Sequence, residues 1–147
     1  MSPAMPFADD AAIAHLARRM IDRTLPKAEW THAGHFAAAL WLLRHRPDLA
    51  TPEAMRGLIR AYNEATGTPN TDSSGYHHTI TIASLRAAAA HLDAGGEGAP
   101  LCGVLDRLMS SPQGRSDWLL AHWSRDRLFD PTARHHWVEP DLAPLPF

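Results

Sequence analysis

The chain has 147 residues, of which 45% are hydrophobic and 20% are charged, and its formal net charge is −2. These values are typical of one globular domain and argue against a disordered or fibrous chain. The slightly acidic balance offers no basic surface to a phosphate backbone, so we expect no nucleic-acid partner.

Cysteine use and hydropathy bear on the compartment. Cys102 is the only cysteine, which excludes an intramolecular disulfide and a CxxC zinc site and favours a reducing cytoplasm. No secretory signal is apparent, and no stretch approaches the roughly 18 apolar residues that cross a bilayer. We therefore expect a cytoplasmic protein with no membrane partner, and the sequence leaves a homo-oligomer open.

Hydrophobic spacing predicts three helices in the first half of the chain. An irregular lead-in over residues 1–8 is followed by apolar residues at helical spacing, which predict a helix over 10–25 that ends before a proline. A second helix is predicted over 28–46, again with a proline behind it. A third, over 51–67, opens with Thr-Pro-Glu, which combines an N-cap, a first-position proline and a carboxylate near the helix dipole.

The second half of the chain continues the helical pattern and then changes character. Helices are predicted over 76–92, from about Pro100, and over 111–123. From 124 to 147 repeated prolines predict an extended tail, and its apolar residues indicate that it packs back on the helices. The fold class is therefore all-α: a compact single domain of about five to six helices with a proline-rich tail packed on it.

Two histidine clusters are the main chemical signal. His32 and His35 form a His-x-x-His pair on the apolar side of the second predicted helix, since residues three apart point about 60° apart. His77 and His78 follow a nine-residue polar loop over 67–75, which is longer than most helix connections. An i, i+3 pair can aim two ring nitrogens at one ion, so the clusters together predict a three-histidine metal site with one open position.

The identity of the third ligand depends on where the fourth helix begins. Helical phase places His78 on the same side as Ile82 and Leu85, which favours His78 as the inward residue. A residue that precedes the first turn escapes this phase, and His77 therefore stays a candidate. The alternative for all four histidines is that each hydrogen-bonds a carbonyl or hydroxyl group in the core.

Four polar residues are candidates for the surroundings of this site. Asp72 in the loop and Glu64 on the third helix can supply a fourth ligand or hydrogen-bond a ligating imidazole. Tyr76 and Asn63 are candidate polar groups of a pocket. Three of them also have an ordinary structural interpretation, which is an Asx-turn for Asp72, a solvated helix carboxylate for Glu64 and packing for Tyr76.

Three motifs resemble those of a small uncharacterised family of bacterial helical proteins that has no established activity. They are WTHxxH at residues 30–35, GYHxT at 75–79 and WVEPDL at 137–142, and the resemblance covers most of the chain from about residue 29. The family pattern often has an acidic residue at the position of His78. The resemblance therefore implies that His77, rather than its neighbour, is the ligand.

These observations lead to two functional hypotheses. The first is a divalent-metal protein, with zinc preferred over iron or nickel, which acts on a small molecule by polarising an oxygen or activating water. The sequence leaves open whether such a protein is an enzyme. The alternative is a metal-free module that binds a small ligand or another protein, with histidines that hydrogen-bond an anion or each other.

Overall fold

The computed structural model describes residues 7–147, and over these residues it contains α-helices and short 3-10 turns but no strand. The α-helices are α1 (Asp10–Asp22), α2 (His32–His45), α3 (Pro52–Ala65), α4 (His78–Gly95), α5 (Leu101–Ser110), α6 (Arg125–Leu128) and α7 (Pro131–His135). The prediction of a compact all-α fold is confirmed. Residues 1–6 of the predicted lead-in lie outside the described residues.

The central element is α2, which packs against α1, α4 and α5. Its residues from Phe36 to Leu42 are all buried, so the helix is apolar around its whole circumference. A helix of this kind is stable only when other elements surround it. The outer helices are amphipathic, as in α1, where Ile13 and Met20 face the core.

Side-chain caps set the helix boundaries. The Thr31 hydroxyl accepts a hydrogen bond from Gly34 N at 3.1 Å, so α2 begins at residue 32, four residues later than predicted, behind a 3-10 turn at Lys27–Glu29. The start of α5 is capped from a distance, because the Asp10 carboxylate accepts hydrogen bonds from Leu101 N at 3.0 Å and Cys102 N at 2.8 Å. A carboxylate at this end also complements the helix dipole.

The predicted sixth helix differs from the structure. Residues 111–123 contain two separate 3-10 turns, Pro112–Gly114 and Trp118–Ala121, in place of one helix. A Cβ atom added at Gly114 would lie 1.9 Å from Met109 O, so only glycine allows the backbone to pass this close.

The predicted extended tail contains the two short helices α6 and α7. Each opens with a capping side chain: Ser124 accepts a hydrogen bond from Arg127 N at 3.3 Å, and Asp130 accepts one from Thr132 N at 2.8 Å. These caps are followed by only one turn of helix, which is too short for a periodic pattern to show in the sequence. From residue 136 onward no helix forms, as predicted.

The tail packs on the helical body, as predicted. Trp137 stacks edge-to-face on Trp123 with ring centroids 5.7 Å apart, and Trp123 Nε1 donates a hydrogen bond to Val138 O at 3.0 Å. The Asp141 carboxylate accepts from both the amide and the hydroxyl of Ser124, at 2.8 and 2.7 Å. None of the helices within residues 7–147 has the length and hydropathy needed to span a membrane.

The tail contacts predict a specific loss of stability. Asp141→Ala removes both bonds to Ser124 and should lower the urea midpoint of unfolding, because two hydrogen bonds that hold the tail are lost. Leu142→Ala is the matched control, because Leu142 is 59% exposed and only its backbone is bound. Urea unfolding followed by circular dichroism measures both variants. Equal unfolding midpoints for the two variants would show that the tail is not held through Asp141.

Candidate functional site

A cavity of about 410 Å³ lies between α2, α3 and α4 and is bordered by the 3-10 turn at Lys27–Glu29. Its volume falls in the range of small-molecule sites. The wall is predominantly apolar, with contributions from Ala39, Met55, Ile80 and Leu85. The cavity therefore offers an apolar molecule a place to lose contact with water.

Both sequence clusters contribute to this cavity, but only with one histidine each. His35 from α2 and His77 from the end of the polar loop line the wall, together with the predicted pocket residues Asn63 and Tyr76. His32 and His78 are not part of the lining. The structure therefore brings together half of the histidines that the sequence grouped.

Trp30 holds the His35 side of the cavity. The two rings meet edge-to-face with centroids 4.1 Å apart, and Trp30 packs in the same manner on Tyr62 at 5.4 Å. Tyr62 is fully buried and donates its hydroxyl to Leu25 O at 2.8 Å. This chain of contacts fixes one wall of the cavity to the segment that follows α1.

His35 is neutral and faces the cavity. Its side chain is exposed to the cavity space, yet surrounding protein atoms crowd the ring closely enough to lower its pKa to about 4. Burial is the main cause, and the electrostatic effects of His32 and Lys27 act in the same direction. At neutral pH His35 therefore presents an uncharged imidazole, which can both donate and accept a hydrogen bond.

His77 has a structural role at the start of α4. Its Nδ1 accepts a hydrogen bond from Ile80 N at 3.2 Å, which caps the helix, and its Nε2–H donates to Leu128 O at 2.6 Å. Both nitrogens are thus used, and only one neutral tautomer satisfies both bonds. Burial lowers the pKa of His77 to about 4, which agrees with a neutral ring.

The other two histidines of the predicted site bond elsewhere. His32 Nε2 lies 2.9 Å from Gln113 O, on the side of α2 that faces the turn after α5. His78 is buried, and its Nδ1 lies 2.7 Å from the Tyr76 hydroxyl. Burial lowers the pKa of His78, and the nearby Arg56 guanidinium lowers it further. Each ring therefore already has a protein partner.

The polar loop before α4 is organised by Asn70. The side-chain oxygen of Asn70 accepts hydrogen bonds from Tyr76 N at 3.0 Å and Asn63 Nδ2 at 3.1 Å, and its own amide donates to Arg60 O at 3.2 Å. Gly75 has a φ of +81°, and a Cβ there would lie 2.5 Å from Pro69 O. The loop therefore positions Tyr76 and His77 through a turn that only glycine tolerates.

The two acidic candidates lie outside the cavity lining. Asp72 is exposed, and its carboxylate lies 2.7 Å from His135 Nε2 at the end of α7. Glu64 is exposed on α3. Neither carboxylate borders the space between His35 and His77.

Metal binding stays a prediction. Within residues 7–147 no group of three or more His, Cys, Asp or Glu side chains is arranged to hold an ion. The ring nitrogens of His77 are both hydrogen-bonded, and His32 and His78 each use one. For His77 to bind an ion, one of its two hydrogen bonds would have to break.

Trp30 and Lys27 are among the lining residues that the sequence did not single out as site candidates. Trp30 belongs to the WTHxxH motif, and Lys27 belongs to none. Lys27 is the single lysine of the chain, against thirteen arginines, and this imbalance was visible in the sequence. The structure places both residues at the edge of the cavity, on the segment that leads into α2.

Comparison with protein-family models, curated proteins and solved structures finds no match to this chain. The geometry of the cavity is therefore the basis for assigning a function to this chain.

The neutral state of His77 predicts how stability depends on pH. Its pKa is about 4 in the folded protein and 6.5 as the ordinary value, so only the unfolded chain takes up this proton between these limits. Stability should therefore fall by about 3 kcal/mol from this residue as the pH drops from 6.5 to 4. His77→Asn keeps a capping side chain but has no titrating group.

Urea unfolding of the parent and His77→Asn at several pH values tests this. Between pH 4 and 6.5 we expect the free energy of unfolding of the variant to change less steeply with pH than that of the parent. The difference in slope should correspond to about one proton. Above pH 7 the difference in stability should be constant, which provides an internal control. Parallel curves over the whole range would contradict the neutral buried state of His77.

Proposed function

We propose that this protein binds a small, largely apolar molecule in the cavity between α2, α3 and α4, without a metal. The observation that carries the proposal is the cavity itself: about 410 Å³ of space whose wall combines apolar side chains with a few polar groups. This combination is typical of small-molecule sites, because the apolar wall supplies affinity and the polar groups supply orientation.

The rigidity of the wall supports this proposal. One side is held by the stacked rings of Trp30, His35 and Tyr62, and the other by His77, which is bonded at both nitrogens. A preformed cavity of this kind does not have to be ordered when the ligand arrives, which reduces the entropic cost of binding. The half-buried Ser84 and Thr81 add hydroxyl groups from α4.

The compartment belongs to the same proposal. The single Cys102 is a free thiol, half-buried at the first turn of α5, and this is compatible with the reducing cytoplasm expected from the sequence. We therefore propose that the protein binds its ligand in the cytoplasm.

Filling the cavity should abolish binding. Ser84→Phe places a phenyl ring in the space, whereas Ala94→Phe adds the same ring at an exposed position near the end of the same helix. The uncharged dye N-phenyl-1-naphthylamine fluoresces when it enters an apolar site. We expect saturable fluorescence with the parent and Ala94→Phe and at least a tenfold weaker affinity with Ser84→Phe, because the added ring occupies the ligand's volume.

The circular dichroism spectrum and the urea midpoint of each variant show whether it is folded. Equal dye affinity in all three folded proteins would place the dye elsewhere and contradict the proposal.

Metal removal separates the two functional hypotheses. We expect protein purified without a histidine tag to contain only traces of metal by elemental analysis, and its melting temperature to be unchanged by EDTA. The reason is that both ring nitrogens of His77 are already hydrogen-bonded, and His32 lies outside the cavity lining, bound to Gln113 O. Near-stoichiometric zinc, iron or nickel that disappears in a His32→Ala, His77→Ala double variant would instead support the metal-dependent protein.

A further inference from the structure

Among residues 7–147, Lys27 is the only charged residue in the cavity lining, and no carboxylate of that part of the chain lines the cavity. It is also the only lysine of the chain. The ion pairs within residues 7–147 involve other cations, namely Arg19, Arg46, Arg56, Arg115 and His135. Glu29, the nearest acidic residue in sequence, is bound to Arg19 at 2.9 Å. The cavity therefore has a positive edge with no internal counter-charge.

The ammonium of the exposed Lys27 is bonded to another residue of the cavity lining. Its Nζ donates a hydrogen bond to Thr68 Oγ1, which lies 41 residues away on the loop after α3 and also lines the cavity. An ammonium has three donors, so two stay available after this bond. The Thr68 hydroxyl, which accepts from Lys27, keeps its own hydrogen free to donate.

His35 lies close to the same edge. Both residues line the cavity, and the positive charge of Lys27 contributes to the low pKa of this imidazole. The ring of His35 makes no hydrogen bond to another described side chain, so its N–H is available to a ligand. Lys27, Thr68 and His35 together present hydrogen-bond donors around one part of a wall that is otherwise mainly apolar.

We infer that the ligand of this cavity is an apolar carboxylic acid, whose carboxylate is bound by the Lys27 ammonium, the Thr68 hydroxyl and the His35 imidazole. The carboxylate accepts all three hydrogen bonds, and its charge is balanced by the ammonium. The hydrocarbon part of the acid occupies the space beside Met55, Ile59 and Leu85. This inference rests on the proposed ligand-binding function and names the chemical class of its ligand.

Three naphthalene compounds of nearly equal size test the inference. They are 1-naphthaleneacetate, 2-(1-naphthyl)ethanol and 2-(1-naphthyl)ethylamine, which carry a negative, a neutral and a positive head group at pH 7.5. Their affinities are measured by displacement of N-phenyl-1-naphthylamine. We expect the acid to bind about tenfold more tightly than the alcohol and the amine to bind most weakly.

Substitutions at Lys27 assign this selectivity to its charge. Lys27→Gln should reduce the preference for acid over alcohol to about twofold or less, and Lys27→Arg should retain it because the positive charge stays. Arg125→Gln is the matched control, since it removes one positive charge from an exposed position outside the cavity. Persistent acid selectivity in folded Lys27→Gln would overturn the role of Lys27.

A measurement on the parent protein avoids any effect of substitution on folding. A bound carboxylate beside His35 favours the charged imidazole, so the acid should raise the pKa of His35 in an NMR titration and the alcohol should not. An unchanged pKa with saturating acid would overturn the placement of the carboxylate.

The outcomes separate this inference from the proposed function. If the dye binds and the alcohol competes as well as the acid, the cavity is a ligand site but the inference is wrong. The inference also fails if the dye binds and none of the three compounds displaces it. If the dye itself fails to bind the folded parent, the proposed function fails and the inference fails with it.

Discussion

The two hydrogen bonds of His77 are the constraint on which the candidate site depends. One nitrogen caps α4, the other binds the last residue of α6, and the ring itself is part of the cavity wall. The cap requires an unprotonated Nδ1. Protonation of this ring would therefore break the cap and also place a positive charge in the core. Downstream, the Thr79 hydroxyl donates to His136 O at 2.9 Å and accepts from Val138 N at 3.2 Å. The segment from Gly75 to Thr79 therefore connects the cavity, the first turn of α4 and the C-terminal tail.

The histidines of this chain contribute mainly as hydrogen-bonding parts of the architecture. His32 binds the carbonyl of a turn, His78 binds a tyrosine hydroxyl, and His77 joins a helix start to a distant carbonyl. His35 differs because its ring borders open space. A residue that is crowded enough to stay neutral but open on one side is suited to contact a ligand. Of the two histidines in the cavity wall, His77 is therefore held by the fold, and His35 is the one suited to contact a ligand.

The sequence predicted the parts of this structure that depend on local chemistry. α3 begins at Pro52, as its Thr-Pro-Glu start indicates, because the cap and the proline act within one turn. The start of α4 is less evident from the sequence, because histidine is not a common N-cap. The second hydrogen-bond partner of His77, Leu128 O, lies 51 residues away. Helical phase placed His32 on an apolar face but gives no information about Gln113, whose carbonyl it binds. Long-range partners of this kind decide which polar groups stay available, and a single sequence does not reveal them.

The capping of α5 by Asp10 has a consequence for the order of events during synthesis. The carboxylate and the Leu101 amide that it binds are separated by 91 residues. At about 5 to 20 residues per second, the ribosome needs roughly 5 to 18 s to produce that partner after Asp10 has been made. In that interval α1 can pack on α2 through apolar contacts alone, while the Asp10 carboxylate stays hydrated. Helix α1 is thus made before α5, but the hydrogen bonds of its Asp10 carboxylate form only after the second half of the chain has been made.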